Sequence, residues 1–515
     1  MHKFAIMFGI LGITVSSILG LTAQAQDSKP PQERKEASEQ QSKPLIPVVE
    51  KESTTEGQIV LNGQTIPYIA TAGTYSFKDE HGVTKAQFFY VAYARSDVEN
   101  PSLRPVTFSF NGGPGAASAW MHMGLLGPKR VVVTNSPPYS YTDNKFSLLD
   151  VTDLVFIDPV STGYSRPSQG EDLNQFHGVE GDVKSIAEFV RLFVTRKSRW
   201  ESPKYLIGAS YGSMRAVKLA NYLLDEFYMT FNGIILVSSV LDFQTIDTTD
   251  FNNNLSSILF LPSYTATAWN FKTLDPTLQK DFNNTLNLVK DFAMNEYALA
   301  LMQGDRLTPE RRKKVIDKLS LYTGLTPQLI ERANLRVQPS VFMKNLLIQE
   351  NKLLGRFDGR VTGGALEVDS PHAEYDPSFE ALLSPFTAIF NQYVRNELKW
   401  TVDDEYKLLT NVQPWTYDGA NNRYLNTISN LREVMIRMPE FRVFVASGYF
   451  DLATPFFGTD YTFNRLNIRP SAANRVTMKY YPGGHMMYVD PHSVESLSKD
   501  LHAFYNKIES EESQR

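Results

Sequence analysis

The chain has 515 residues, 42% of them apolar, and a formal net charge of −5. This apolar content supports a large core, and with no basic block nothing points to nucleic acid. Cysteine is absent, which excludes disulfides, thiolate metal sites, a cysteine nucleophile and a lipid-bearing cysteine.

The amino terminus has the pattern of an export signal. Lys3 gives a positive start, Phe4 to Leu21 is mostly apolar, and Ala23-Gln24-Ala25 is a small-x-small cleavage site. The apolar stretch is close to the ~18-residue lower limit for a membrane span, but the cleavage site favours removal over anchoring. Residues 1–25 are therefore expected to be a signal peptide, and the protein to be exported, to a bacterial periplasm or the extracellular medium. No stable membrane insertion is expected after cleavage. A large core can dispense with disulfides in such a compartment. Residues 26–56 are rich in Pro, Ser, Lys, Glu and Gln and are expected to form a disordered linker.

Strand signals open the body. Gly57 to Ala70 carries Asn62-Gly63 between apolar runs, a hairpin signature. Thr71 to Phe77 and Ala86 to Arg95 extend it into an antiparallel meander. The rhythm then changes to short apolar runs at Pro105–Phe110, Asp153–Ile157, Lys204–Ile207 and Gly233–Ser238. Helical patterns such as Val183, Ile186, Ala187, Val190 and Phe193 lie between some of them, which predicts parallel β–α units.

Residues 241–437 are helical in character. Thr308-Pro309 and Thr326-Pro327 each place a cap residue before a proline at the first helical position. Sheet character returns at Phe441–Ala446 and Arg475–Tyr480, and a last helix starts near Ser493 with Leu497, Leu501 and Phe504 on one face. The expected organisation is an α/β-hydrolase fold, a mostly parallel central sheet with flanking helices and a large helical cap insertion. Its core is split between residues 57–240 and 438–515, with the cap at 241–437.

The chemistry centres on Gly208-Ala209-Ser210-Tyr211-Gly212, a Gly-x-Ser-x-Gly segment between an apolar run and a helical pattern. In a strand–turn–helix setting this makes a serine a nucleophile. A serine hydroxyl needs a base, and in this fold class the partners follow in the order Ser, Asp or Glu, His. Asp451 comes just after the run Phe441–Ala446, although an aspartate there could equally cap the next helix. His485 follows Pro482-Gly483-Gly484 at the end of Arg475–Tyr480. The other histidines are less well placed. His2 falls in the signal, His81 and His372 in polar turns, His492 at a helix start and His502 in the last helix, and neither His122 nor His177 follows a late strand. The backbone N–H of Tyr211 is an expected oxyanion donor. The loop Asn111-Gly112-Gly113-Pro114-Gly115, directly after Val106–Phe110, can supply a second. It lacks the Lys-Ser/Thr of a phosphate-binding loop.

Together these segments resemble the serine carboxypeptidase family. The resemblance covers most of the body and is strongest in Asn111–Gly115, Asp158-Pro159-Val160-Ser161-Thr162-Gly163-Tyr164-Ser165, Gly208–Gly212, Asp451 and Gly484-His485-Met486. It implies Ser210 as nucleophile, His485 as general base and acid, and Asp451 as its orienting carboxylate. It further implies Gly113 and Tyr211 as oxyanion donors, with Asn111 and Gly112 holding the terminal carboxylate of a peptide substrate with a free C-terminus. No metal or organic cofactor is required. Four positions depart from the family's usual pattern: Ala209 and Leu125 stand where glutamates are usual, Ser109 where a tryptophan is usual and Ala116 where a cysteine is usual. The missing glutamates weaken the case for C-terminal selectivity. An esterase or acyltransferase with the same triad is the alternative, and a catalytically inactive hydrolase fold used for binding is a third reading. Lys129, Arg130 and Arg215 are near the motifs and are expected to be solvated surface charges.

Overall fold

A computed structural model describes residues 49–512 except Val368 and Asn421. The expected signal peptide, and the expected linker up to residue 48, lie outside the described residues. The strands in chain order are β1 (Glu52–Leu61), β2 (Gln64–Lys78), β3 (Thr84–Arg95), β4 (Val106–Phe110), β5 (Lys129–Val132), β6 (Ser140–Asp143) and β7 (Asp153–Ile157). They continue with β8 (Arg166–Pro167), β9 (Lys204–Ala209), β10 (Gly233–Val237), β11 (Lys352–Leu354), β12 (Thr362–Gly364), β13 (Arg442–Gly448) and β14 (Val476–Tyr481).

The main sheet runs β1-β2-β3-β7-β4-β9-β10-β13-β14, with β8 paired to β3. The first three strands form the antiparallel meander. Asn62 and Gly63 both have positive φ (51° and 80°) and join Leu61 directly to its partner Gln64, as a two-residue hairpin turn requires. The five pairings from β7 to β14 are all parallel. The fold is that of the α/β-hydrolases.

One boundary differs from expectation. β1 starts at Glu52, inside the segment expected to be a linker, and pairs with β2 from Glu52 opposite Gly73 onward. An edge strand with one solvated side can be built from polar residues, so its composition resembles that of a linker. Polar contacts fasten it: Glu52 accepts from Tyr90 Oη at 2.6 Å and from Lys197 Nζ at 2.8 Å.

Side chains alternate across the sheet because successive residues of a strand point to opposite faces. Tyr205, Ile207, Ile235 and Val237 enter one core, against Leu497, Leu501 and Tyr505 of the helix Pro491–Glu512. Leu206, Ile234 and Leu236 enter the other, against Val183, Ile186 and Val190 of Val179–Arg196 and Leu219 of Tyr211–Phe227.

Between β10 and β13 the chain is mainly helical. The helices Pro309–Thr323 and Pro327–Arg332 are capped by Thr308 and Thr326, which accept from Arg311 N and Leu329 N. A third core here includes Leu259, Phe292, Ile330 and Phe342, and it continues into Leu452 and Phe456 beyond β13. The helix Pro377–Asn396 instead packs Phe386, Phe390 and Tyr393 into the first core of the sheet.

Asp158, just after β7, is buried and ties three segments together. Its Oδ1 accepts from Ser118 N at 2.8 Å and from Tyr406 Oη at 3.2 Å, and burial pushes its carboxyl up to about 7. An unfolded aspartate titrates near ~3.9, so the unfolded chain loses this proton first. The contribution to stability is therefore full below about pH 4 and falls as pH rises towards about 7. Asp158→Asn should flatten this dependence, with a benefit of up to a few kcal/mol at pH 8 and little at pH 4, read from urea denaturation at the two pH values.

Candidate active site

Ser210 sits at the turn between β9 and the helix Tyr211–Phe227, at φ 59° and ψ −128°. Such a backbone costs about 1–3 kcal/mol and persists only when its surroundings enforce it. Here Ser210 N donates to Val237 O at 2.9 Å, on β10, and Ser210 O accepts from Ser213 N at 2.8 Å and Ser213 Oγ at 2.6 Å. The strand and helix cross so tightly that a Cβ on Gly208 would lie 2.0 Å from Gly212 O. The serine is thereby held at the carboxyl edge of the sheet.

Asp451 and His485 come from the loops after β13 and β14. His485 Nδ1 lies 2.8 Å from Asp451 Oδ2. Asp451 has no exposed surface, and every other contact reinforces its place. Its Oδ1 accepts from Ala453 N and Thr454 N at 2.7 and 2.8 Å, and its Oδ2 accepts from Thr454 Oγ1 at 2.8 Å. The loop is an Asx turn closed by a threonine. On the other side, Ser238 Oγ donates to His485 O at 2.6 Å, and the Phe357 ring lies 4.6 Å from the imidazole.

The glycine loop after β4 meets the serine turn directly. Phe110 pairs with Gly208 in the parallel ladder, so the two chains leave the sheet side by side. A Cβ on Gly112 would fall 2.6 Å from Ala209 O and from Tyr211 N. Only glycine allows this approach. Tyr211 N is the first amide of its helix and has no intrahelical acceptor, which leaves it free to face a substrate. Asn111 Oδ1 accepts from Met121 N at 3.0 Å, which fixes its side chain.

Asn111, Gly112, Gly113, Ser210, Tyr211 and His485 line one cavity of about 180 Å³. The structure thus brings six of the seven sequence-predicted residues to one cavity, with the seventh, Asp451, held against the imidazole. A larger cavity of about 580 Å³, in the helical insertion between Asn253, Arg312, Arg336 and His372, contains none of them.

The rival histidines are engaged elsewhere. His122 is buried against Phe156 with Nε2 2.7 Å from Tyr93 Oη, and burial lowers its pKa to about 3. His177 lies 2.9 Å from Ser161 Oγ, and burial lowers its pKa too.

Two of the three nearby cations depart from the solvated state expected of them. Arg215 has no exposed surface. It pairs with Asp182 at 2.7 Å and donates to Asn111 O, because a guanidinium on the inner face of this helix can be buried only when fully partnered. Arg130 is half-buried, donating to the carbonyls of Gly124 and Tyr488. Lys129 pairs with Asp143 at 2.5 Å.

Thr454 and Phe357 contribute to the site without having been singled out from the sequence. The Asp451-x-x-Thr454 spacing is a turn signal that could have found the first. No local pattern marks the second.

Comparison with known proteins gives the family. The sequence model of the family described as Serine carboxypeptidase matches residues 64–494. The chain belongs to the serine carboxypeptidase family. Among curated relatives, Serine carboxypeptidase-like 33 of Arabidopsis thaliana is 29% identical over 146 residues, which is 28% of this chain and 29% of that protein. Serine carboxypeptidase-like 34 of the same plant is 25% identical over 190 residues, 34% of this chain and 35% of that protein. The chain thus matches about a third of the length of these relatives. Among solved structures, the prohormone-processing carboxypeptidase Kex1 of Saccharomyces cerevisiae shares the fold, with a TM-score of 0.53 at 18% identity over 85% of this chain and 91% of that one.

The positions that depart from the family's usual residues are all apolar or buried here. Ala209 and Ala116 line the cavity, Leu125 is in the core, and Ser109 is buried within β4. Gly112→Ala should lower kcat by roughly 10²–10³-fold, the size of effect seen when an oxyanion donor is lost, because the new methyl forces the loop off Tyr211 N. Steady-state kinetics with a chromogenic acyl substrate, alongside a thermal melt, would read this.

Proposed function

We propose that the chain is an exported serine-type exopeptidase that hydrolyses C-terminal peptide bonds through Ser210, His485 and Asp451. The observation that carries this reading is the 2.8 Å contact between Asp451 Oδ2 and His485 Nδ1, with His485 lining the same cavity as Ser210. A carboxylate at Nδ1 fixes the proton there and leaves Nε2 as the base.

His485 then takes the Ser210 proton as the hydroxyl attacks the scissile carbonyl. The amides of Gly113 and Tyr211 donate to the oxyanion, an effect on the order of 3 kcal/mol per donor. Collapse of the tetrahedral intermediate breaks the C–N bond, and His485 gives its proton to the departing amine. Water, deprotonated by the same imidazole, releases the acyl group and regenerates the serine. The substrate is a peptide with a free C-terminus, positioned beside Asn111 and Gly112. This chemistry needs no metal or organic cofactor. Export is supported by the signal-like residues 1–25, and among the described residues no helix is long and apolar enough to cross a membrane.

An esterase or acyltransferase is the second reading, favoured by Ala209 on the cavity wall. Ser210→Ala should cut turnover by about 10⁴-fold or more while the protein still melts cooperatively, and it should abolish labelling by a serine-directed phosphonate. Mass spectrometry of a peptide mixture should show single residues removed much faster from free C-termini than from C-terminal amides. Equal cleavage of both, or turnover of simple esters alone, would favour the second reading, and undiminished activity of Ser210→Ala would reject both.

A further inference from the structure

Arg356 follows β11 and lines the same cavity as Ser210 and His485. It is the only residue of fixed charge lining that cavity, whose lining includes no Asp or Glu. Among the described residues no hydrogen bond or ion pair engages its guanidinium, and the side chain is exposed. Most other arginines that approach the site are spent on partners: Arg215 on Asp182 and Arg360 on Asp358 and Asp490.

Asp376, which contacts the Arg356 backbone, does not serve it as a counterion. Asp376 accepts from the backbone amides of Arg356, Phe357, Ser378 and Phe379 at 2.9, 3.1, 3.0 and 3.3 Å, and from Ser378 Oγ at 2.5 Å. It acts as a helix cap and a clasp for the Arg356 backbone. The position of Arg356 is fixed from two further directions. Arg356 O accepts from Leu452 N at 3.0 Å, one residue after Asp451, and Phe357 O accepts from His485 N at 2.5 Å. The guanidinium lies 5.8 Å from the centre of the Phe357 ring, which in turn lies 4.6 Å from the His485 ring.

We propose that Arg356 is the anion receptor of the cavity and pairs with a carboxylate on the leaving residue of the substrate. This rests on the serine-hydrolase reading above. The leaving side follows from the chemistry. His485 must hand its proton to the departing amine, so that group lies against the imidazole, and Arg356 reaches the cavity from the imidazole side through Phe357. The oxyanion amides occupy the glycine-loop side. A solvated, unpaired guanidinium at the edge of a mostly apolar cavity can form two charge-assisted hydrogen bonds when a carboxylate arrives. The carboxylate can be the terminal one, shared between Arg356 and the Asn111–Gly112 segment, or the side chain of an acidic leaving residue.

The test compares Arg356→Gln and Arg356→Lys with the unsubstituted protein on four matched peptides. The leaving residue is neutral or acidic, and its terminus is a free acid or an amide. The readout is the ratio of kcat/KM for each charged substrate to its uncharged match. In Arg356→Gln the free-acid to amide ratio should fall roughly 10- to 100-fold, the worth of hydrogen bonds to a charged group, mainly through KM, and Arg356→Lys should restore part of it. A fall confined to the acidic-over-neutral ratio would assign the same pairing to the side-chain carboxylate. Ratios unchanged within twofold in a cooperatively melting variant would overturn the inference. Phosphonate labelling of Ser210 in the unsubstituted protein reports the hydrolase reading separately: labelling with unchanged ratios defeats the anion receptor alone, and absent labelling defeats the reading beneath it.

Discussion

The site depends on one close approach of two backbones. β4 and β9 are parallel neighbours, and Phe110 stands opposite Gly208 where both strands end. From that level one chain turns into the glycine loop and the other into the serine turn. They come together at Gly112, where a Cβ would lie 2.6 Å from Ala209 O and Tyr211 N, and at Gly212, where a Cβ would lie 2.9 Å from Asn111 O. A side chain at either position would push the loop and the turn apart, and Gly112, Gly113 and Tyr211 would no longer line one cavity with Ser210.

A buried cation holds that contact closed. Arg215 projects from the helix that follows Ser210, donates to Asn111 O in the glycine loop and pairs with Asp182 on a second helix. Removing either charged partner would strand the other in a low-dielectric interior, at a cost of about 3–5 kcal/mol. The arginine therefore links the serine helix, the glycine loop and the adjacent helix, although it touches no reacting atom. Its guanidinium also lies 5.1 Å from the Tyr211 ring and 5.5 Å from that of Phe110, so it bridges the ends of both chains.

The parts legible in the sequence were those encoded locally. Buried parallel strands read as short apolar runs, and the ends of those strands announced Ser210, Asp451, His485 and the Asn111–Gly115 loop. Three features were not legible. β1 extends back to Glu52 because an edge strand needs backbone pairing more than apolar side chains. Arg215 looks like a surface charge because its partners lie 33 and 104 residues away in sequence. Phe357 and Arg356 belong to an irregular stretch of the insertion, where neither period 2 nor period 3.6 marks a position, and only the folded chain brings them to the imidazole.

That last placement changes what the helical insertion does. A cap that merely covered a sheet could swing away and leave the reacting groups undisturbed. Here the Arg356–Phe357 segment accepts backbone hydrogen bonds from Leu452 and from His485 and sets a tilted aromatic ring against the imidazole. Each hydrogen bond is worth about 0.5–1.5 kcal/mol net, and the ring pair a similar amount. Lifting this segment would therefore cost a few kcal/mol and would loosen the histidine that it supports. The insertion and the two late loops form one mechanical unit, so access to Ser210 is governed by the shape of the cavity they build together. For the same reason, a residue of the insertion can sense what lies against the imidazole.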